Sequence, residues 1–164
     1  MMSISVVKLT PDEWERHKAI RLRALADSPS AFGSVLEDAV LLTDDDWKQR
    51  LARADSATFV ATSGSAGDVG LIFGAPYGDH AGLFSMWVAP EARKQGVGGK
   101  LVDAVIAWAR EANYSQLVLD VGDANTAAIT LYAGRGFEPN GIHGTLPAPR
   151  DHIREHQRRL NLAT

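Results

Sequence analysis

The residues best suited by type and spacing to do chemistry are Arg93-Lys94-Gln95-Gly96-Val97-Gly98-Gly99-Lys100. They lie between a short apolar run, Leu83 to Val88, and a stretch with apolar residues at helical spacing: Leu101, Val105, Trp108 and Ala112, flanked by Val102 and Ile106. A glycine-rich turn that opens a helix directs several backbone N–H groups outward at the positive end of the helix dipole. That is an anion site, and phosphate is its usual guest. Two familiar phosphate loops fail on spacing. A P-loop needs Ser or Thr after its Gly-Lys pair, and Leu101 follows Gly99-Lys100. The dinucleotide fingerprint needs a third glycine where Leu101 stands.

A second segment repeats the strand-turn-helix pattern. Gln116 to Val121 reads as a strand and Gly122-Asp123 as a turn. Asn125 is placed to cap a helix that stops at Gly134-Arg135-Gly136-Phe137. Arg93-x-x-Gly96-x-Gly98 after Val88-Ala89-Pro90-Glu91 resembles the acyl-CoA-binding motif of the GCN5-related N-acetyltransferases, the GNAT superfamily. Asn125-x-x-Ala128-x-x-Leu131-Tyr132, followed by Gly136-Phe137, resembles that superfamily's other hallmark at the expected distance downstream. The resemblance is strong from Leu83 to Pro139 and looser toward both ends.

The resemblance implies a mixed, mostly antiparallel α/β (α+β) GNAT acyl-CoA N-acyltransferase fold. Its sheet would be flanked by helices and splayed between the fourth and fifth strands, so that a pantetheine arm lies between Leu83–Val88 and Gln116–Val121. It implies acetyl-CoA as cosubstrate, with no metal. The residues carried over to hold it are Met86, Trp87 and Val88; Arg93, Lys94, Gln95, Gly96, Val97, Gly98, Gly99 and Lys100; and Asn125, Ala128 and Tyr132. Gly96 and Gly98 let the backbone approach a diphosphate without a Cβ in the way, and Arg93, Lys94 and Lys100 supply positive charge. The reaction implied is direct transfer of an acetyl group to a primary amine of a small molecule or peptide in a ternary complex. Tyr132 would protonate the departing thiolate, and a backbone N–H at a bulge around Val88 would face the developing oxyanion. Without the motif, Tyr132 reads as a core aromatic and Asn125 as a plain helix cap.

An alkyl amine with a pKa near ~10.4 must lose a proton before it attacks. Many relatives carry a strand-borne glutamate for this, but Leu83–Val88 offers only Ser85. Glu37 and His80 are the candidate bases, with Asp38 and Asp79 beside them and a water chain equally open. The acceptor pocket is expected from Asp27–Asp38, Tyr77–Ala81 and Gly141–Arg150, whose carboxylates suit a cationic amine. A catalytically weak acyl-CoA-binding sensor is the alternative. A nucleotide-binding regulatory domain is a third reading, which ATP or NAD competing with acetyl-CoA would favour.

Composition sets outer bounds. The 164 residues, 45% of them apolar, suffice for one globular domain over 1–164. A net charge of −3 argues against a nucleic-acid binder. The absence of cysteine excludes disulfides, thiolate metal sites and a cysteine nucleophile. Met1 to Lys8 has no signal-peptide pattern and no stretch reaches membrane-spanning length, so a cytoplasmic protein with no membrane partner is expected. A homodimer is left open. His143, His152 and His156 lack metal-ligand spacing, and Arg154, Arg158 and Arg159 read as flanking a last strand.

The remaining elements follow from local signals. Ile4–Leu9 reads as a strand. Thr10-Pro11-Asp12-Glu13 starts a helix to about Ala26, and Thr43-Asp44-Asp45-Asp46 starts another, its aspartates read as cap rather than metal site. Ala57–Thr62 and Val69–Ala75 read as a hairpin, and His156–Leu162 as the final strand, with Gly141–Arg150 left as a connection.

Overall fold

The computed structural model describes residues 3–29, 32 and 35–162. Its strands are β1 (Ile4–Lys8), β2 (Ala57–Ser63), β3 (Gly67–Tyr77), β4 (His80–Val88), β5 (Gln116–Gly122), β6 (Glu138–Thr145) and β7 (Arg154–Asn161). Its α-helices are α1 (Trp14–Asp27), α2 (Leu36–Ala39), α3 (Asp44–Ala52), α4 (Val97–Glu111) and α5 (Thr126–Gly134). Among the described residues the strands form one sheet in the order β1-β2-β3-β4-β5-β7-β6. Every neighbouring pair is antiparallel except β4 and β5. This is the mixed, mostly antiparallel sheet expected from the resemblance.

The predicted caps form. Thr10 N–H donates to Glu13 at 3.1 Å before α1, whose first turn winds as a 3-10 helix. At α3, Asp46 N–H donates to the Thr43 hydroxyl at 3.1 Å and Thr43 N–H to the Asp46 carboxylate at 2.9 Å, a complete capping box. The aspartates there are a cap, as read from the sequence.

Helix α4 buries Leu101, Val102, Val105 and Ile106 as its spacing predicts, with Val97, Gly99 and Ala109 added. It lies close on β3 because two glycines sit beneath it. A Cβ at Gly70 would fall 2.9 Å from Leu101 Cδ1, and one at Gly74 2.7 Å from the Trp108 ring. Leu71 and Phe73 point to the opposite face, toward α1 and α3. The core thus has two layers, with the sheet between them. Trp47 is fully buried in the α1–α3 layer, edge-on to His17 at 5.3 Å.

Two elements depart from expectation: the short helix α2, where the sequence reads as a loop, and β6. Glu138–Thr145 is a strand, β6, which runs into the Gly141–Arg150 stretch that the sequence indicates as a connection. Its residues are nearly all exposed, and it carries Pro139, Gly141 and Gly144, so it has no alternation to read. It exists because β7 offers it a free edge, with the register interrupted between Pro139 and His143.

Candidate active site

Strands β4 and β5 pair only through Ala81↔Leu117 and Gly82↔Val118. Beyond that point they part, and a cavity of about 940 Å³ opens between them. It is lined by Leu83 to Met86 on one side and by Asp120 to Asn125, Ala128 and Tyr132 on the other. The splay lies where the motifs imply it. Its cause on the β4 side is local. Leu71 pairs Trp87 and Phe73 pairs Phe84, so Ser85 and Met86 together oppose Ile72 alone. Ser85 takes φ +59, a left-handed conformation rare outside glycine. The bulge therefore sits at Ser85–Met86 and not around Val88, which is paired with Gly70. The difference is physical: Val88 is held in the ladder, whereas the left-handed Ser85 turns this stretch of β4 out of it.

The glycine turn does open α4. Gly96 is its N-cap at φ +80, and a side chain there would meet nothing within 4 Å. The first helical bond joins Lys100 N–H to the Gly96 carbonyl at 3.2 Å, leaving the amides of Val97, Gly98 and Gly99 without helical acceptors. Three free amides beside open space fit a diphosphate. The cations differ from expectation. Arg93 is engaged by Asp27 at 2.7 Å and by the Val88 carbonyl at 3.0 Å. Lys100 Nζ reaches back to the Ile4 carbonyl, and Gln95 donates to the Glu91 carbonyl. Lys94, at φ +64, stays exposed. A cation that sequence reasoning passed over also stands at the turn: a Cβ on Gly99 would run into the Arg135 guanidinium, which pairs with Asp103. Arg135 reads as part of a helix stop, and only the docking of α5 on α4 brings it here.

Asn125 caps α5, accepting from Ala128 N–H at 3.3 Å, while lining the cleft. Asn125→Ala should therefore cost about 1 kcal/mol. That lowers the melting temperature by roughly 3 °C in a domain of this size, a shift calorimetry would resolve. Tyr132 lies on the helix face turned into the cleft and is 5% exposed, its ring edge-on to Phe137 at 5.8 Å. Burial pushes its phenol well above the usual range, so it holds its proton at any physiological pH.

On the β5–β7 side the cleft lining is acidic. Asp120 and Asp123 come from the end of β5, and Glu155 from β7, where it pairs with Gly122. Asp120 accepts from the Tyr77 hydroxyl at 2.8 Å, and Tyr77 accepts from Gln157 at 3.0 Å. Asp123 meets His156 Nδ1 at 2.8 Å. Partial burial raises the Glu155 carboxyl above its ordinary value. Asp120 and Asp123 add to the shift, and Arg150 opposes it. A carboxyl with raised affinity for protons, set in a cleft beside a second carboxylate, has the character of a proton acceptor for an amine. Sequence reasoning missed it because Glu155 sits in the polar run Arg154-Glu155-His156-Gln157, which marks only a solvated strand.

The bases expected from sequence lie elsewhere. Glu37 and Asp38 are exposed in the first turn of α2, off the cleft wall. Asp79 is exposed in the β3–β4 turn, and His80 starts β4 opposite Tyr77, also off that wall, with Nδ1 buried and unpartnered. Of the expected acceptor segments, Asp27, Ser28, Pro29 and Phe32 do line the cleft, as do Leu146 and Pro147. Ser30, Ala31, Gly33 and Ser34 fall outside the described residues. Trp87 is buried away from the cleft, its indole N–H donating to Asp27 at 2.9 Å. Asp27 thereby ties the end of α1 to Trp87 and Arg93, and those hydrogen bonds hold its carboxyl below the usual range.

Among the described residues no helix is long and apolar enough to cross a membrane. The acetyltransferase (GNAT) family model matches residues 14–137. N-acetyltransferase 8 of Homo sapiens is 34% identical over 112 residues, 63% of this chain and 49% of that protein. The chain spans about half the length of the curated relatives it matches. A GNAT-family acetyltransferase structure from Streptococcus pneumoniae superposes with a TM-score of 0.80 at 19% identity, over 98% of this chain and all of that one. An acetyltransferase from Salmonella typhimurium, solved with its cofactor acetyl-CoA, superposes with a TM-score of 0.79 at 15% identity, over 99% of this chain and 95% of that one. Strand order, splayed cleft, glycine turn and family match agree, and the chain belongs to the acetyltransferase (GNAT) family.

Proposed function

We propose that this protein moves an acetyl group from acetyl-CoA to the primary amine of a small molecule or peptide, without an acetyl-enzyme stage. The observation that carries the reading is one cleft lined both by a buried, protonated Tyr132 and by the Asp120 and Glu155 carboxylates. Acetyl-CoA supplies an electrophilic thioester carbonyl and a thiolate leaving group.

The chain's own groups then divide the task. The amides of Val97, Gly98 and Gly99 hold the diphosphate, with Lys94 and Arg135 as its counter-charges. Met86, Ala128 and Asn125 flank the arm that enters the splay. The peptide N–H groups freed at the Ser85–Met86 bulge face the carbonyl oxygen as it gains charge. Asp120 and Glu155 attract the acceptor as an ammonium ion. Glu155 takes the proton that must leave to expose the lone pair and passes it to solvent, then takes the second proton, which the nitrogen sheds as the C–N bond forms. Tyr132 stands at the sulfur as the C–S bond breaks. A phenol with a raised pKa is a weak acid, so its contribution is a hydrogen bond that strengthens as negative charge builds, with the proton passing over last. The products are an amide and a free thiol.

Release of thiol from acetyl-CoA across a panel of primary amines tests the reading. Turnover on at least one amine is expected; CoA binding with no turnover on any would leave a sensor. The turn itself has a separate check. A side chain at Gly98 enters the space between Leu131, Val88 and Met86, with its Cβ 2.9 Å from Leu131 Cδ2. The near atom is the end of a flexible side chain, so Gly98→Glu should still fold. Its carboxylate should weaken CoA binding by at least roughly tenfold in calorimetry, about 1.4 kcal/mol. Affinity within twofold of wild type would remove the diphosphate from this turn.

A further inference from the structure

On the opposite face of β3 from α4 lies a second cavity, of about 460 Å³, whose polar lining is cationic. His17 and Arg21 enter it from α1, and Arg50 and Arg53 from the end of α3. Phe84 and Ser85 line both this cavity and the main cleft, so the two border each other at the β4 bulge.

Arg21 is only 8% exposed, and among the described residues no acceptor or carboxylate meets its guanidinium. Its contact is the Phe32 ring, 5.3 Å away. Burial, reinforced by the like charge of Arg50, lowers its pKa to about 10. His17, one helical turn earlier, is 6% exposed with Nδ1 buried and unpartnered. The nearby carboxylates are committed. Asp46, whose charge Arg50 feels, accepts from Thr43 N–H in the α3 cap, and Asp55 pairs with Arg53 in the open at 3.3 Å. A buried guanidinium without an anion is unfavourable in the free protein, and an anion entering the cavity relieves it.

We propose that this cavity receives a carboxylate of the acceptor: the acetylated molecule is an amine that carries its own carboxylate, the amine at Asp120–Glu155 and the carboxylate on Arg21 and Arg50. The inference rests on the acetyl-transfer reading. One molecule is the proposed occupant because the two cavities border the same two residues, Phe84 and Ser85, which sets the cations of one and the carboxylates of the other on adjoining sites. A carboxylate matches the planar fork of a guanidinium, which donates two parallel N–H bonds. His17 adds a donor without needing charge, since burial lowers its pKa to about 3.

The test compares phenylalanine, γ-aminobutyrate and ε-aminocaproate, each with its own amide, which keeps the amine and loses the anion. Binding to the CoA-loaded protein is measured by calorimetry, and turnover by thiol release. At least one acid should bind roughly tenfold tighter than its amide, about 1.4 kcal/mol. Arg50→Gln, an exposed change that the fold should absorb, should bring the acid-to-amide ratio of kcat/KM toward one. Arg21→Met should do the same while raising the melting temperature, because it removes an uncompensated charge; a purely structural arginine would lower it. Equal binding of every acid and amide, or an unchanged ratio in Arg50→Gln, overturns the carboxylate site. If the binding preference holds but no pair releases thiol, the carboxylate site stands and acetyl transfer falls. If acids and amides turn over equally, transfer stands and the carboxylate site falls.

Discussion

Tyr132→Phe should lower kcat by about 10²-fold or more, the usual scale for loss of a positioned proton donor, with CoA affinity changed less than roughly threefold. The substitution removes one oxygen and keeps the ring that packs edge-on against Phe137, so the folded structure should persist. Because the phenol is held protonated by burial, the effect should be nearly independent of pH across the neutral range. The sharper signature is leaving-group dependence. With thioesters of more acidic thiols the departing sulfur needs less help, and the gap between wild type and variant should narrow. An unchanged kcat would return Tyr132 to the role of a core aromatic.

Glu155→Gln should cost about 10²-fold in kcat/KM for the amine and should reshape the pH profile. A base acts when deprotonated, so wild-type kcat/KM should fall as pH drops through the Glu155 pKa. That limb should lie above the ordinary carboxylate range because burial and Asp120 raise it. The variant should lose it. Stability moves the other way. A carboxyl whose folded pKa is raised binds more protons when folded than when unfolded, so its contribution is complete below the unfolded pKa and lost as pH rises through the folded one. Glu155→Gln should therefore gain thermal stability relative to wild type as pH rises from about 4 toward neutrality. A merely structural residue of the β5–β7 pair would not yield both results. Should the low-pH limb survive in Glu155→Gln, another group takes the proton, and Asp120 is next to test.

The two strand-turn-helix segments were legible because their signals are local. Gly96 and Gly98 precede a helical stripe, and Asn125 precedes Ala128 and Tyr132, all within one or two turns of chain. Such spacing survives folding because caps and helix faces form from neighbours in sequence. The same holds for the Thr43 box. Strand β6 was not legible, since its exposed residues carry no period and its partner supplies the reason it exists. The bulge at Ser85 was equally silent. Serine has no preference for φ +59, so the conformation is imposed by the pairing of Leu71 and Phe73 on either side.

Charge placement divides along the same line. From the sequence, Arg93 and Lys100 are the expected partners of a phosphate, but the fold turns them to Asp27 and to β1 and brings Arg135 from another helix. Glu155 acquires its raised pKa only because register sets it beside Gly122, near Asp120 and Asp123. Arg21 becomes a buried cation with no acceptor among the described residues only when α1 packs on β3 and α3. The sequence by itself determined the family and the sheet-and-helix order, and it marked the glycine turn and the tyrosine of the proposed site, all written in short-range spacing. Only the tertiary structure decided which carboxylates line the cleft, which cation lies beside the turn and which cations line the second cavity. Those depend on burial and on long-range strand register, and a residue's charge gains its chemical meaning from the groups and the water that surround it.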